Sequence, residues 1–281
     1  MKIYFAAHST TKDNEAEIAS GWKDVELSEL GIKQSHELAE RFKNIKIDLV
    51  CCSDLRRAAD TVRIAFQDKI QVISDKRLRE LNYGDFNGQP SEMVGKMKVK
   101  HIDEPFPNGE SYNQAMIRVH DFYREIKEKH PDKTVLVVGH RATQFGLDTL
   151  TGRTVEECLS VPFKWQPYWE YEIPKIMGFY EGVVPQVLDG KTSTWRLRDH
   201  NLKVGDIVAF ENSQTGEIFG QGKITKVNKT TVGEIDLQDK THYKIYETRE
   251  KLINAFKKHY PAYEVNENTP VYAYTYKFIK K

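Results

Sequence analysis

The sequence predicts an α/β fold, a mostly parallel sheet with helices on both faces, followed by a small mixed β-barrel. Three observations carry that prediction. Strand-like and helix-like segments alternate through the first 174 residues. The texture then changes around Trp165–Ile176, where aromatic residues crowd Trp165–Tyr171 and Pro174 and Gly178 punctuate the chain. Beyond that point short β-type runs recur between turns.

The elements follow in order. Lys2–Ala7 is a short apolar β-type run, and Leu27–Phe42 spaces its apolar residues helically with Ser28 available as N-cap. Asp48–Ser53 reads as a buried strand, Asp54–Phe66 as a helix and Ile70–Ile73 as a further strand. Glu110–Lys129 is a long amphipathic helix, and Lys133–Gly139 is the plainest buried strand. Such wholly apolar strands suit a parallel sheet covered on both sides. The expected boundary gives domains 1–174 and 176–281. In the second, Ile207–Phe210, Ile218–Val227 and Val271–Phe278 read as strands and Thr248–His259 as the one helix.

With 281 residues, 39% apolar and 30% charged, the chain has the profile of an ordinary globular protein and the length of two domains of about 100–200 residues each. No run approaches the roughly 18 apolar residues of a membrane helix, and Met1 leads straight into a strand with no signal-peptide pattern. Cys51, Cys52 and Cys158 form neither a disulfide framework nor a metal-ligand spacing. The expectation is a cytoplasmic protein with reduced thiols, no membrane, no metal and no cofactor. Residues 176–281 hold 16 Lys and Arg against 13 Asp and Glu, a balance of +3, which leaves −2 for the rest of a chain whose net charge is +1.

Sheets of this kind bind ligands at the carboxyl ends of their strands. His8 follows the first strand, Arg56 and Arg57 the second, Glu80 the third, and His140 with Arg141 the fourth. Two imidazoles, an arginine pair and a carboxyl group suit phosphoryl transfer. A neutral imidazole attacks phosphorus, guanidinium and imidazolium groups neutralise the equatorial oxygens, and a carboxyl group protonates the leaving oxygen and later deprotonates water.

These residues resemble the histidine phosphatase (phosphoglycerate-mutase-like) superfamily. Ala7-His8-Ser9-Thr10-Thr11-Lys12-Asp13-Asn14 keeps the histidine, threonine and asparagine of that family's Arg-His-Gly-x-Thr-x-x-Asn opening. Ser53–Thr61 matches Ser-x-Leu-x-Arg-Ala-x-x-Thr, Leu78–Gly88 matches the proton-donor segment, Asn108-Gly109-Glu110-Ser111 resembles the usual helix start, and Val138-Gly139-His140 matches the second histidine. The resemblance implies His8, Arg57, Glu80 and His140 as catalytic residues, Thr11, Asn14 and Arg141 as phosphate-binding, and a phosphorylated small molecule as substrate. Only about sixty residues separate Glu80 from His140, fewer than in the cofactor-dependent mutases, which favours water as acceptor. Pro105–Pro107 and Lys164–Gln166 are candidates for the substrate side.

Ala7 stands where the family has arginine, and Ser9 where it has glycine. A lost oxyanion donor costs about 3 kcal/mol of transition-state stabilisation. Either Arg141, with Lys12, supplies the missing charge, or the domain is a catalytically impaired relative serving an RNA- or nucleotide-binding protein.

Lys191-Thr192-Ser193-Thr194-Trp195-Arg196, with Val204–Val208 after it, resembles the ASCH domain, a PUA-like barrel associated with RNA and modified nucleosides. The resemblance implies Lys191, Thr194 and Arg196 as nucleotide- or RNA-binding residues. Some ASCH proteins are acetylcytidine amidohydrolases using lysine, threonine and glutamate, for which Glu247 is the candidate third member. Trp195 and Tyr272–Tyr276 offer either base stacking or barrel packing.

Overall fold

The computed structural model describes residues 1–67 and 69–280. The chain forms two compact units, Met1–Pro174 with Thr215–Glu217, and Lys175–Gln214 with the chain from Ile218 onward.

The first unit is built on β1 (Lys2–Ala7), β2 (Leu49–Cys52), β3 (Val72–Ser74), β4 (Thr134–Gly139) and β5 (Trp169–Glu172). Their order is β3-β2-β4-β1-β5. The first three pairings are parallel and β5 joins β1 antiparallel, so the sheet is parallel except at one edge. The main helices are α1 (Glu29–Phe42), α2 (Arg56–Phe66), α3 (Tyr112–Lys129) and α4 (Arg141–Leu150). Ser28 caps α1 as the sequence suggests, its hydroxyl accepting the Gly31 amide at 3.2 Å. Ser111 and Gln114 form a capping box that starts α3 two residues later than expected.

Alternation along the strands sorts side chains onto the two faces. Tyr4, Ala6, Val50, Cys52, Leu136 and Val138 pack with Leu38 and Phe42 of α1 and Val62 of α2. Each fully buried side chain of this size contributes about 1.5–3 kcal/mol. A separate cluster around Phe106, Tyr112, Met116, Phe145 and Cys158 lies under the loops after the strands. All three thiols are buried. Burial pushes Cys52 up to about 11 and Cys158 up to about 12.

Two close approaches shape the loops. A Cβ at Gly31 would lie 2.0 Å from the Thr10 carbonyl, so the first turn of α1 rests directly on the loop after β1. Gly84, at φ +56, turns the chain against the Pro107 carbonyl, 1.9 Å from where its Cβ would be. A two-residue ribbon, Ile18–Ala19 with Gln89–Pro90, ties the loop after β1 to the segment after Glu80.

The second unit is one curled five-stranded sheet, a half-barrel. Its strands are β6 (Lys175–Phe179), β7 (Ser193–Arg196), β8 (Ile207–Asn212), β9 (Ile218–Thr231) and β10 (Pro270–Lys280), in the order β6-β8-β9-β10-β7. Only β6 and β8 pair parallel. A register shift between Ile224 and Lys226 marks a bulge that bends the long β9. Curling brings the edge strands together: the Arg196 guanidinium on β7 donates to the Gly178 carbonyl on β6 at 2.8 Å and lies over the Phe179 ring. Tyr274 and Tyr276 are buried in the core with Phe179, Phe210 and Ile224, so these tyrosines serve barrel packing. The helix α5 (Arg249–His259) starts at the Thr248 cap and packs Leu252 and Phe256 beside Trp195 and Val271.

Candidate active site

His8 and His140 leave neighbouring parallel strands at the same level, since Ala7 registers with Gly139 and the His8 amide donates to the Gly139 carbonyl at 2.9 Å. Their ring centroids are 5.0 Å apart. His8 Nδ1 is 2.8 Å from the Ser9 carbonyl oxygen. A carbonyl can only accept, so Nδ1 carries the proton and Nε2 keeps a free lone pair. Burial first, and then the Arg57 charge, pushes His8 down to about 3. His140 is 1% exposed, and neither of its ring nitrogens has a partner among the described residues. Burial, Arg57 and His8 hold it well below the ordinary imidazole range. A buried polar ring without a protein partner is rare in folded proteins.

Arg57, in the first turn of α2, is 2% exposed. Its two terminal nitrogens donate to the carbonyls of Lys23 (3.1 Å) and Gly21 (2.8 Å). Carbonyls fix the guanidinium without cancelling its charge, and that charge reaches both histidines. Arg56 instead pairs with Glu26 and Asp60 on the surface, so one arginine of the pair points inward.

Glu80 rests on the N-terminus of α4. Its Oε1 accepts the amides of Leu81 (2.8 Å) and Ala142 (3.1 Å), and its Oε2 accepts the Arg141 amide at 3.2 Å. His140 is the N-cap of the same helix, so the carboxyl group and the second imidazole share one support.

The remaining predicted phosphate-binding residues are engaged elsewhere. Thr11 and Asn14 exchange side-chain and backbone bonds of 3.0–3.1 Å in a capping box, a pattern that explains both residues by local structure. Lys12 is an exposed partner of Glu26. The Arg141 guanidinium donates to Gln144 Oε1 at 2.7 Å and to the carbonyls of Val161 (3.0 Å) and Cys158 (3.4 Å). It lies over the rings of Phe145 and Phe163. In this arrangement the Arg141 and Lys12 side chains make their hydrogen bonds away from both histidines, while the Arg141 backbone amide holds Glu80 and the Arg141 charge lies within reach of that carboxyl group. Ser9 donates its amide to Thr61 and shares a hydroxyl bond with Ser35, pinning the loop to α1 and α2. Phe106 is 1% exposed and stacks on His101, so it belongs to the core rather than to a substrate wall, while Trp165 is exposed beneath Arg41.

Sequence reasoning missed Trp22 and Arg118, which both donate to the Glu80 carbonyl, at 2.6 and 2.9 Å. No sequence pattern pointed to either, because Glu110, the ion-pair partner of Arg118, lies ahead of the Ser111 cap and off the helix.

In the second unit Lys191, Thr194 and Arg196 line one cavity of about 610 Å³. Tyr180, Trp195, Tyr246 and Tyr260 supply aromatic walls, Lys244 and Lys258 add cations, and no carboxylate lines it among the described residues. Lys191 is 2% exposed and donates to the His242 carbonyl. Burial, then Arg196, pushes it down to about 7. His242 stacks on Trp195 at 3.7 Å and 6°. Glu247 is not part of the lining and pairs with Lys251, so the expected lysine–threonine–glutamate set is not assembled.

Among the described residues no cluster of three His, Cys, Asp or Glu could hold a metal ion, and no helix is long and apolar enough to cross a membrane. Phosphoserine phosphatase 1 of Hydrogenobacter thermophilus is 30% identical over 149 residues, covering 50% of this chain and 71% of that protein. Phosphoglycerate mutase of Schizosaccharomyces pombe is 30% identical over 170 residues, covering 53% and 81%. The solved structure of Bacillus stearothermophilus YhfR, 24% identical, shares the fold with a TM-score of 0.55 over 61% of this chain and 90% of that one. Residues 3–162, more than half of the chain and all four catalytic candidates, match the family profile, and the chain belongs to the histidine phosphatase superfamily (branch 1).

Proposed function

We propose that the first unit is a phosphohydrolase that passes the phosphoryl group of a small phosphorylated metabolite through His8 to water. The observation that carries this reading is the His8 tautomer: Nδ1–H is bonded to the Ser9 carbonyl and Nε2 is left as a neutral nucleophile. In the first step Nε2 bonds to phosphorus as the ester P–O bond breaks, and Glu80 gives its proton to the leaving oxygen. In the second, water attacks the phosphohistidine, Glu80 takes a proton from it, and the N–P bond breaks. Arg57 and His140 face the charge on the transferring oxygens. Rapid mixing of labelled substrate with the parent chain should trap an acid-labile, base-stable phosphoenzyme. His8→Ala should lose both it and phosphate release, by at least about a thousandfold. Unchanged release by His8→Ala would sink the reading.

One observation favours a second reading, a catalytically impaired domain: Ala7 brings no guanidinium, and that of Arg141 is bonded to Gln144 and Val161. Absence of His8-dependent release across a panel of phosphorylated metabolites and nucleotides would establish it.

For the second unit we propose an ASCH (PUA-like) domain that binds a nucleotide or an RNA segment, in a cytoplasmic protein whose substrate is a related phosphate. A cationic, aromatic cavity with no carboxylate among its described lining residues supports binding over the amidohydrolase alternative. Titration with nucleoside monophosphates and short RNAs, parent against Lys191→Met, tests it; acetate release from acetylated cytidine would revive the alternative.

A further inference from the structure

Glu80 lies on Arg79–Tyr83, a stretch that belongs to no strand or helix. Without a ladder, its backbone groups need partners from elsewhere. One side chain binds the carbonyls on both sides of the Arg79–Glu80 bond. Arg118 on α3 donates from Nη1 to the carbonyls of Arg77 (2.7 Å) and Arg79 (2.9 Å), and from Nη2 to that of Glu80 (2.9 Å). The same guanidinium grips Glu110 by two bonds, Nε to Oε2 at 3.0 Å and Nη2 to Oε1 at 2.6 Å. Glu110 Oε1 in turn accepts the Asn82 amide at 2.8 Å. The pair is nearly enclosed, at 16% and 14% side-chain exposure.

We infer that Arg118, oriented by Glu110, is a positioning residue that aims the Glu80 carboxyl group at the leaving oxygen. The inference rests on the phosphohydrolase reading. Proton transfer requires Glu80 within about 2.6–3.2 Å of the oxygen it protonates. The carboxyl group is fixed from above by the α4 amides of Arg141 and Ala142. Its main chain is fixed from below by the Glu110–Arg118 pair, with Trp22 adding one further bond to the Glu80 carbonyl. A planar fork reaches three carbonyls and a carboxylate together, whereas a lysine ammonium on its flexible stem cannot. Arg118 makes no hydrogen bond to either histidine. Although its charge is felt at His140, that charge is kept in Arg118→Lys, so a loss shared by the Lys and Met variants runs through the placement of Glu80.

The test compares two esters. p-Nitrophenyl phosphate releases a stable phenolate that needs no proton, whereas a simple alkyl monophosphate releases an alkoxide that does. Glu80→Gln sets the reference signature. Arg118→Met should lower kcat/KM, which reports the first transfer and not the hydrolysis step common to both esters, by about tenfold to a hundredfold on the alkyl ester and by less than about threefold on the aryl ester. Arg118→Lys should follow Arg118→Met, because it keeps the charge and loses the fork. Equal losses on both esters would reduce Arg118 to a structural role and overturn the inference. Amide hydrogen exchange provides a readout independent of turnover. Leu81, Asn82 and Ala142 should exchange faster in Arg118→Met while β1 and β4 keep their protection, and unchanged exchange at those three amides would also overturn it. A parent chain that releases no His8-dependent phosphate from either ester would remove the phosphohydrolase reading, and exchange would then decide the clamp on its own.

Discussion

The two polar clusters of this chain handle positive charge in opposite ways. In the first unit one guanidinium, Arg57, is buried on two carbonyls, and the imidazoles near it are held neutral. Its charge is permanent and the bases stay available, an arrangement suited to a group passing through. The cavity of the second unit gathers Lys191, Arg196, Lys244 and Lys258 with no carboxylate among its described lining. Lys191 is buried to the point where its proton is nearly optional at neutrality. Cations in excess over the nearby carboxylate of Asp239, one of them with a labile proton, would suit an anion that arrives and stays. Under the proposed functions, an always-charged fork would serve transfer and a titratable point charge would serve capture.

The strongest way to break this contrast is to exchange the fork for a point charge. Arg57→Lys keeps a cation but cannot reach both carbonyls, and kcat/KM for phosphate release should fall by about a hundredfold or more. A loss below about fivefold would show that charge alone suffices in the first unit.

The second expectation concerns pH. Lys191 is lowered from its ordinary 10.5 to about 7. Between those values the unfolded chain holds a proton that the folded chain lacks, so this group makes stability rise with pH across that window. An anion in the cavity favours the protonated amine. Its affinity should therefore fall as pH rises above about 7, by up to about tenfold per unit. Calorimetry in buffers of different ionisation enthalpy should detect proton uptake near neutrality, and Lys191→Met should remove both slopes. A pH-independent affinity between 7 and 9 would contradict the capture role.

Ala7→Arg restores the guanidinium that the family carries beside its nucleophile. If the missing charge limits transfer, steady-state kcat should rise by about tenfold, within the range of a single oxyanion contact. No rise would mean that Arg57 and His140 already meet the demand. The smallest effect is expected for Arg141→Ala, within about threefold on kcat, because that guanidinium faces Gln144 and Val161 and the Glu80 contact uses the backbone amide.

The core of the site was legible because it depends on topology. Parallel strands deliver their carboxyl ends to one edge, so His8, the Arg56–Arg57 pair, Glu80 and His140 could be grouped from where each strand stops, while the choice of Arg57 came from the family motif. The direction of Arg141 was not legible, since it is set by Gln144 one turn along α4 and by carbonyls about twenty residues away. Thr11 and Asn14 carried a readable capping signal that their match to a family motif overshadowed. Trp22 and Arg118 were invisible because they act on main-chain carbonyls, and no side-chain pattern advertises which carbonyls lack a ladder. In the second unit the run of tyrosines alternated clearly, but only the curl of the sheet decides that Tyr274 and Tyr276 face inward.

The buried thiols carry a practical consequence. Cys51 and Cys52 occupy adjacent positions of β2 and so lie on opposite faces of the sheet, while Cys158 sits in the cluster beneath the loops. All three are shielded from solvent and held in the unreactive protonated form. A thiol-specific reagent therefore has no target until some part of the first unit opens. The order in which the three residues become labelled would time the loosening of each layer separately, with no engineered probe.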